Sequence, residues 1–239
     1  MRTKIKAALQ RWLNINNPNA NIDDYDFELE IVRKYQQIED GKVNFTFDLI
    51  NKSGKNVGGN SERIINDNDI YLPIGYALGW INTPLAPGEA PGSGNYQKIE
   101  NQVPYYFPNA LVFNATDPAQ VDQYQALNSV YYGTMTISAG NDQLVSNFPL
   151  CEMLKIPRFS SIPFYFNYPY TLREYAELTE YPVLNGAEEL QVDFNVPAAD
   201  TVLAGGDPAT TRVFAEFKML GFKVKRLAAP FTELNAKRV

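Results

Sequence analysis

The chain has 239 residues, room for one large domain or two small ones, and its 45% hydrophobic against 20% charged composition supports an ordinary core and excludes wholesale disorder. A net charge of −6 argues against a surface coated all over in nucleic acid. Histidine is absent, which removes Ser-His-Asp and Cys-His nucleophile pairs and His-ligated zinc, and the single cysteine, Cys151, excludes an intrachain disulfide and a Cys-based metal site.

Residues 3–14 read as a short amphipathic helix: Ile5, Ala8, Leu9, Trp12 and Leu13 recur at helical spacing, and Lys4, Lys6 and Arg11 mark the other faces. The start is basic, but no apolar stretch long enough for a secretory signal follows it, and no run of about 18 apolar residues spans a membrane. The helix could lie on a membrane surface, touch packaged nucleic acid, or pack beneath the main domain; Lys4, Lys6, Arg11 and Trp12 are the candidate membrane- or genome-facing residues. The Asn/Pro-rich segment 14–21 then reads as a linker.

Strands follow. Tyr25, Phe27, Leu29 and Ile31 alternate with Asp26, Glu28 and Glu30, and Val43, Phe45, Phe47 and Leu49 alternate with Asn44, Thr46 and Asp48. This period of two predicts a sheet wet on one face. Residues 51–60 carry turn chemistry, an apolar stretch runs from Ile70 to Ile81, and the Gly/Pro-rich residues 82–101 predict a long surface loop. A strand is expected across Tyr105–Phe113, and Asp117-Pro118 opens a helix reaching about residue 128. Gly133, Met135 and Ile137 alternate with Thr134, Thr136 and Ser138 in a further strand. Thr171-Leu172-Arg173-Glu174 is a capping-box sequence that predicts a helix to about Thr179. The last third holds the clearest alternation, in Leu190–Val196 and in Val213–Met219, with Gly221 marking a bend or bulge.

Little of this carries chemistry. The carboxylates Asp23, Asp24, Asp26, Glu28 and Glu30 read as a solvated strand face. Asn66-Asp67-Asn68-Asp69 offers oxygen ligands but lacks the glycine and distal glutamate of a calcium loop, so a turn explains it. Gly58-Gly59 and Gly205-Gly206-Asp207 match no phosphate-binding pattern. Tyr96, Tyr105 and Tyr106 could stack on sugars or fill an interface, and Cys151 reads as a small buried hydrophobe. The residues point to no catalytic centre, no cofactor and no metal.

The order of features from about Val130 to Arg226 is a strand Gly133–Ser138, the turn Ala139-Gly140-Asn141-Asp142 and an apolar segment Leu144–Leu154. The Pro/aromatic stretch Pro163-Phe164-Tyr165-Phe166-Asn167-Tyr168-Pro169-Tyr170, a short helix and two long alternating strands follow. This order resembles the upright β-barrels of major capsid proteins of tailless, membrane-containing phages. The resemblance implies a mainly β fold of two tandem jelly rolls with an N-terminal amphipathic helix and a few short helices. Residues 1–21 would form helix and linker, 22–128 a first roll and 129–239 a second, divided by the helix around 117–128. About 16 strands fit the length tightly, and a single roll with long insertions also fits.

The resemblance further implies a homotrimeric capsid subunit of an icosahedral virion shell. Its partners would be itself, neighbouring capsomers and, through the N-terminal helix, an internal lipid membrane or packaged genome. The alternative is a carbohydrate- or ligand-binding β-sandwich of adhesin or fibre-tip type, with exposed coplanar aromatics. A carboxylate-pair glycosidase is the remaining enzymatic reading, and no pair stands out for it.

Overall fold

A computed structural model describes residues 2–38, 44–53, 62–99, 130–153, 175–178, 181–196 and 209–226. The protein is mainly β, with one α-helix among the described residues, α1 (Arg2–Asn16), ahead of the strands. These are β1 (Tyr25–Gln37), β2 (Phe45–Asp48), β3 (Ile70–Pro84), β4 (Thr134–Ala139), β5 (Asp142–Pro149), β6 (Ala176–Glu177), β7 (Leu184–Asn185), β8 (Leu190–Asn195) and β9 (Thr211–Arg226). They form two antiparallel sheets. One runs β1-β9-β3-β6, with β7 also on β3, and the other runs β2-β8-β4-β5.

The pairing is nested. The β4–β5 hairpin turns at Gly140, whose φ of 55° suits a residue without a side chain. Outside it lie β3 with β6 and β7, then β2 with β8, then β1 with β9. Successive nested pairs fall alternately in the two sheets. Strands from residues 22–128 therefore pair with strands from 129–239 in both sheets. Among the described residues, the expected boundary near residue 128 does not separate two systems of strands.

The inner faces of the two sheets close one core. Phe45 and Phe47 of β2, Met135 and Ile137 of β4, and Val192 and Phe194 of β8 meet Tyr76, Leu78 and Trp80 of β3 and Val213, Ala215, Phe217 and Met219 of β9. Aromatic rings fill this core: Phe45 stacks on its cross-strand neighbour Phe194 at 5.0 Å between centroids within one sheet, and Phe47 lies 5.6 Å from Phe217 across the two layers. Trp80 Nε1 donates to the Tyr131 hydroxyl at 3.0 Å, so the buried indole keeps a polar partner.

A second core lies on the outer face of the larger sheet. Ile5, Ala8, Leu9 and Leu13 of α1 pack on Leu72, Ile74 and Ala77 of β3 and on Leu220 and Val224 of β9. Strand β3 is thus buried on both faces, which is why its sequence is an unbroken apolar run without alternation. A bulge between Pro73 and Gly75 resets its phase, and Pro73, lacking an N–H, suits the interruption.

Several expectations are corrected. The helix to Thr179 is replaced at its end: Ala176 and Glu177 pair with Tyr76 and Gly75, and Leu178 N–H donates to the Ile74 carbonyl at 3.1 Å. The open edge of β3 offers backbone partners that outweigh local helix propensity. Residues 171–174, the strand at 105–113 and the helix at 117–128 lie outside the described residues. Of the expected 82–101 loop, residues 82–84 belong to β3, and a Leu85–Tyr96 bridge closes a turn beyond them. Gly221 sits inside continuous β9, opposite Pro73 at the bulge, which belongs to the partner strand. Cys151 is exposed in a 3-10 turn, Leu150–Met153, whose buried positions are Leu150 and Met153.

Candidate functional site

A group of charged residues lies at one end of the larger sheet, where α1 backs the outer face. Helix α1 forms because its apolar positions fall three and four apart. Asn17-Pro18 ends it, since the residue before proline is driven out of helical geometry. Its four buried side chains each contribute about 1.5–3 kcal/mol of burial, Ala8 less.

The four candidate residues of α1 separate. Lys4 and Arg11 are exposed on the side away from the sheet, with exposed Ala7 between them. Lys6 is exposed at the flank, 3.7 Å from Asp23. It borders a groove of about 240 Å³ lined also by Ile5, Tyr25, Asp26, Phe27 and Phe222. Trp12 turns inward and packs, half-buried, against the apolar cluster under the helix. The helix holds four cations (Arg2, Lys4, Lys6 and Arg11) and no carboxylate, within a chain of net −6.

The inner face at this end is a strip of mixed charge. Asp26, Glu28 and Glu30 of β1 stand on the same side as Val32, and the register places Lys225 opposite Asp26 and Lys223 opposite Glu28. Lys225 pairs with Glu28, and Lys223 with Asp69 and, at 3.9 Å, with Glu30. The hydrogen bond and charge of Glu28 raise the Lys225 ammonium above its ordinary value. Burial pushes the Asp69 carboxyl up, but hydrogen bonds from Lys223 and Asn66 and the Lys223 charge outweigh it and leave it below 3.8. Asp24 and Asp26 are exposed and carry no ion pair among the described residues. Asp24, Asp26, Glu28, Glu30 and Asp69 against Lys223 and Lys225 leave this end net negative.

Sequence reasoning marked the acidic residues as a solvated face. It passed over Lys223 and Lys225, although their alternation matches that of Asp26, Glu28 and Glu30. Only the β1–β9 register joins them. The Asn66–Asp69 segment is the expected turn: Asp69 N–H donates to the Asn66 carbonyl at 2.9 Å, and Asn66 Nδ2 to Asp69 Oδ2 at 2.7 Å.

A second charged group is buried at the edge of β1. Lys34 lies 3.2 Å from Glu62, both about 1% exposed, and Lys34 also donates to the Asn51 carbonyl. Glu62 accepts from the backbone N–H of Tyr35 at 3.2 Å and of Ser53 at 2.7 Å. Its oxygens are fully engaged, which suits a structural tie between β1 and the chain covering its edge. Nearby, Arg33 pairs with Glu216 at 3.3 Å. On the turn after β3, the Arg212 guanidinium sits 4.6 Å above the Tyr96 ring, so one face of that tyrosine is covered. Tyr105, Tyr106 and both double-glycine motifs lie outside the described residues. Among those residues no three His, Cys, Asp or Glu side chains gather as metal ligands, and no helix is long and apolar enough to cross a membrane.

No protein-family model, curated protein or solved structure matches the chain significantly. Charged side chains at this end of the larger sheet engage one another across strands.

Proposed function

We propose that this chain is a structural, non-catalytic subunit of a viral coat, built as one jelly roll that assembles with copies of itself. The observation that carries the reading is the nested strand order, β1-β9-β3-β6 facing β2-β8-β4-β5. A long hairpin whose successive pairs drop alternately into two sheets is how an eight-stranded roll is wound, β6 and β7 together serving as one interrupted strand on β3. With both halves of the chain contributing to each sheet, one roll accounts for the strands better than two in tandem.

The coat role rests on the earlier resemblance together with the surface chemistry. Opposite charges lie on opposite faces of one end, an arrangement that favours contact between like subunits. The apolar stripe of α1 is already covered by the sheet, so among its described residues the docked helix offers a membrane or a genome its charged side with only Ala7 and Ile15 as exposed apolar positions. In this reading the subunits form homotrimers first, and these are the units of an icosahedral shell.

Electron microscopy of the concentrated, purified chain tests the proposal. Closed rings or shells of uniform subunits are the expected result. Isolated monomers that instead bind sugars on a glycan array would replace it with the carbohydrate-binding sandwich.

A further inference from the structure

The outward side of α1 is matched in charge by a surface on the opposite face of the same sheet. Lys4 and Arg11 point away from the protein, and neither forms an ion pair among the described residues. The helix carries no carboxylate to neutralise them. Through the sheet from the helix, the β1–β9 strip presents Asp26, Glu28 and Glu30 with Lys223 and Lys225, and exposed Asp24 extends its acidic side, whereas Asp23 is held by Lys6 of α1. The two surfaces cannot meet within one chain, because the sheet lies between them. They can meet between chains.

We propose that the outer side of α1 docks on the acidic strip of a second copy of this chain, making a head-to-tail contact. The contact is heterologous: two different patches, one on each subunit, so repetition generates a ring or a filament rather than a closed dimer. A three-membered ring satisfies every copy in the trimer proposed above, and the inference rests on that reading of self-assembly. Charge complementarity across such a rim steers encounter and fixes orientation, and salt screens it. Anionic lipid and nucleic acid would also attract Lys4 and Arg11. A protein strip fits these two cations better, because the docked helix leaves only Ala7 and Ile15 as exposed apolar positions, too few to sink into a bilayer, and its outward charges are sparse for a polyanion.

Charge reversal tests the contact without touching the core. One variant carries Lys4→Glu and Arg11→Glu; a second carries Asp24→Lys and Asp26→Lys. Sedimentation equilibrium at low ionic strength should show each variant associating about tenfold or more weakly than the unaltered chain, and a third variant carrying all four substitutions, complementary again at every contact of a ring, recovering most of the loss. Circular dichroism and melting of each variant confirm that the fold survives. An associating parent whose variants associate unchanged, or whose four-substitution variant shows no recovery, overturns this contact while leaving the coat reading standing. Helix-dependent binding to phosphatidylglycerol vesicles or to a single-stranded oligonucleotide, with association unaffected, reassigns α1 to that ligand. A parent that stays monomeric overturns both readings.

Discussion

Lys34 and Glu62 show how a buried charge pair is made tolerable. Each lies out of water, and every oxygen of Glu62 has a cation or backbone N–H against it. Lys34→Met leaves the carboxylate buried without its cation and should cost about 3–5 kcal/mol in denaturant unfolding. Lys34→Met combined with Glu62→Gln should recover part of that, because the amide is neutral and still accepts from Tyr35 or Ser53; a double variant as unstable as the single one would contradict this account. Asp48 and Asp69 set a pH dependence. For Asp48, burial pushes the carboxyl up, but hydrogen bonds from the Asn51 side chain, Asn51 N–H and Ile50 N–H, with the Lys34 charge, outweigh it and leave it below 3.8. Both carboxyls are thus lower in the folded than in the unfolded chain. Their contribution is fully present above the unfolded value and lost as pH falls through the folded one. Unfolding measured across pH should show stability falling below about pH 4, and Asp69→Asn should flatten that fall. Gly221 has no room for a side chain: a Cβ there would stand 2.5 Å from the Leu72 carbonyl oxygen and 2.7 Å from the Tyr71 ring. Gly221→Ala should therefore cost about 1–3 kcal/mol by urea titration, against less than about 0.5 kcal/mol for the exposed change Lys4→Gln.

At the level of elements, the alternating strands were legible and the two-sided one was not. Strands β2, β4 and β8 and the core half of β9 place their alternating apolar residues in the core, as a period of two requires. Strand β1 is subtler. Tyr25, Phe27 and Ile31 do turn to an apolar face, but it is the one under α1, while Leu29 stays half exposed. Periodicity reports that a face is buried and not what buries it. Trp12 faces inward for a related reason: its spacing with Leu9 and Leu13 decided its side, although a basic, tryptophan-bearing helix suggested an outward role. The β1–β9 charge strip was invisible because register is set by turns and long-range packing, neither of which a single sequence displays. Helix α1 itself yields the sharpest test at this scale. Leu9 is fully buried beneath it, so Leu9→Ala should lower stability by about 2–4 kcal/mol. A change near zero would mean that the helix does not rest on the sheet in solution.

At the scale of the whole molecule, one nested winding ties residues near both ends of the described chain into neighbouring strands. β1 pairs with β9 from Tyr25↔Arg226 to Gln37↔Phe214. The expectation of two tandem rolls came from the resemblance in the order of features along the chain. The nested pairing instead uses early and late strands together, which local patterns cannot reveal because they carry no information about partners. The helix, the sheet it backs and the opposite sheet make three layers, and the charged end of the middle layer is where copies of the chain would meet. The most direct test of the central claim, self-assembly of a jelly-roll coat subunit, is the solution mass of the purified chain by light scattering across concentration and salt. A trimer, or larger particles built from trimers, is the predicted result. A monomer at every concentration would contradict it.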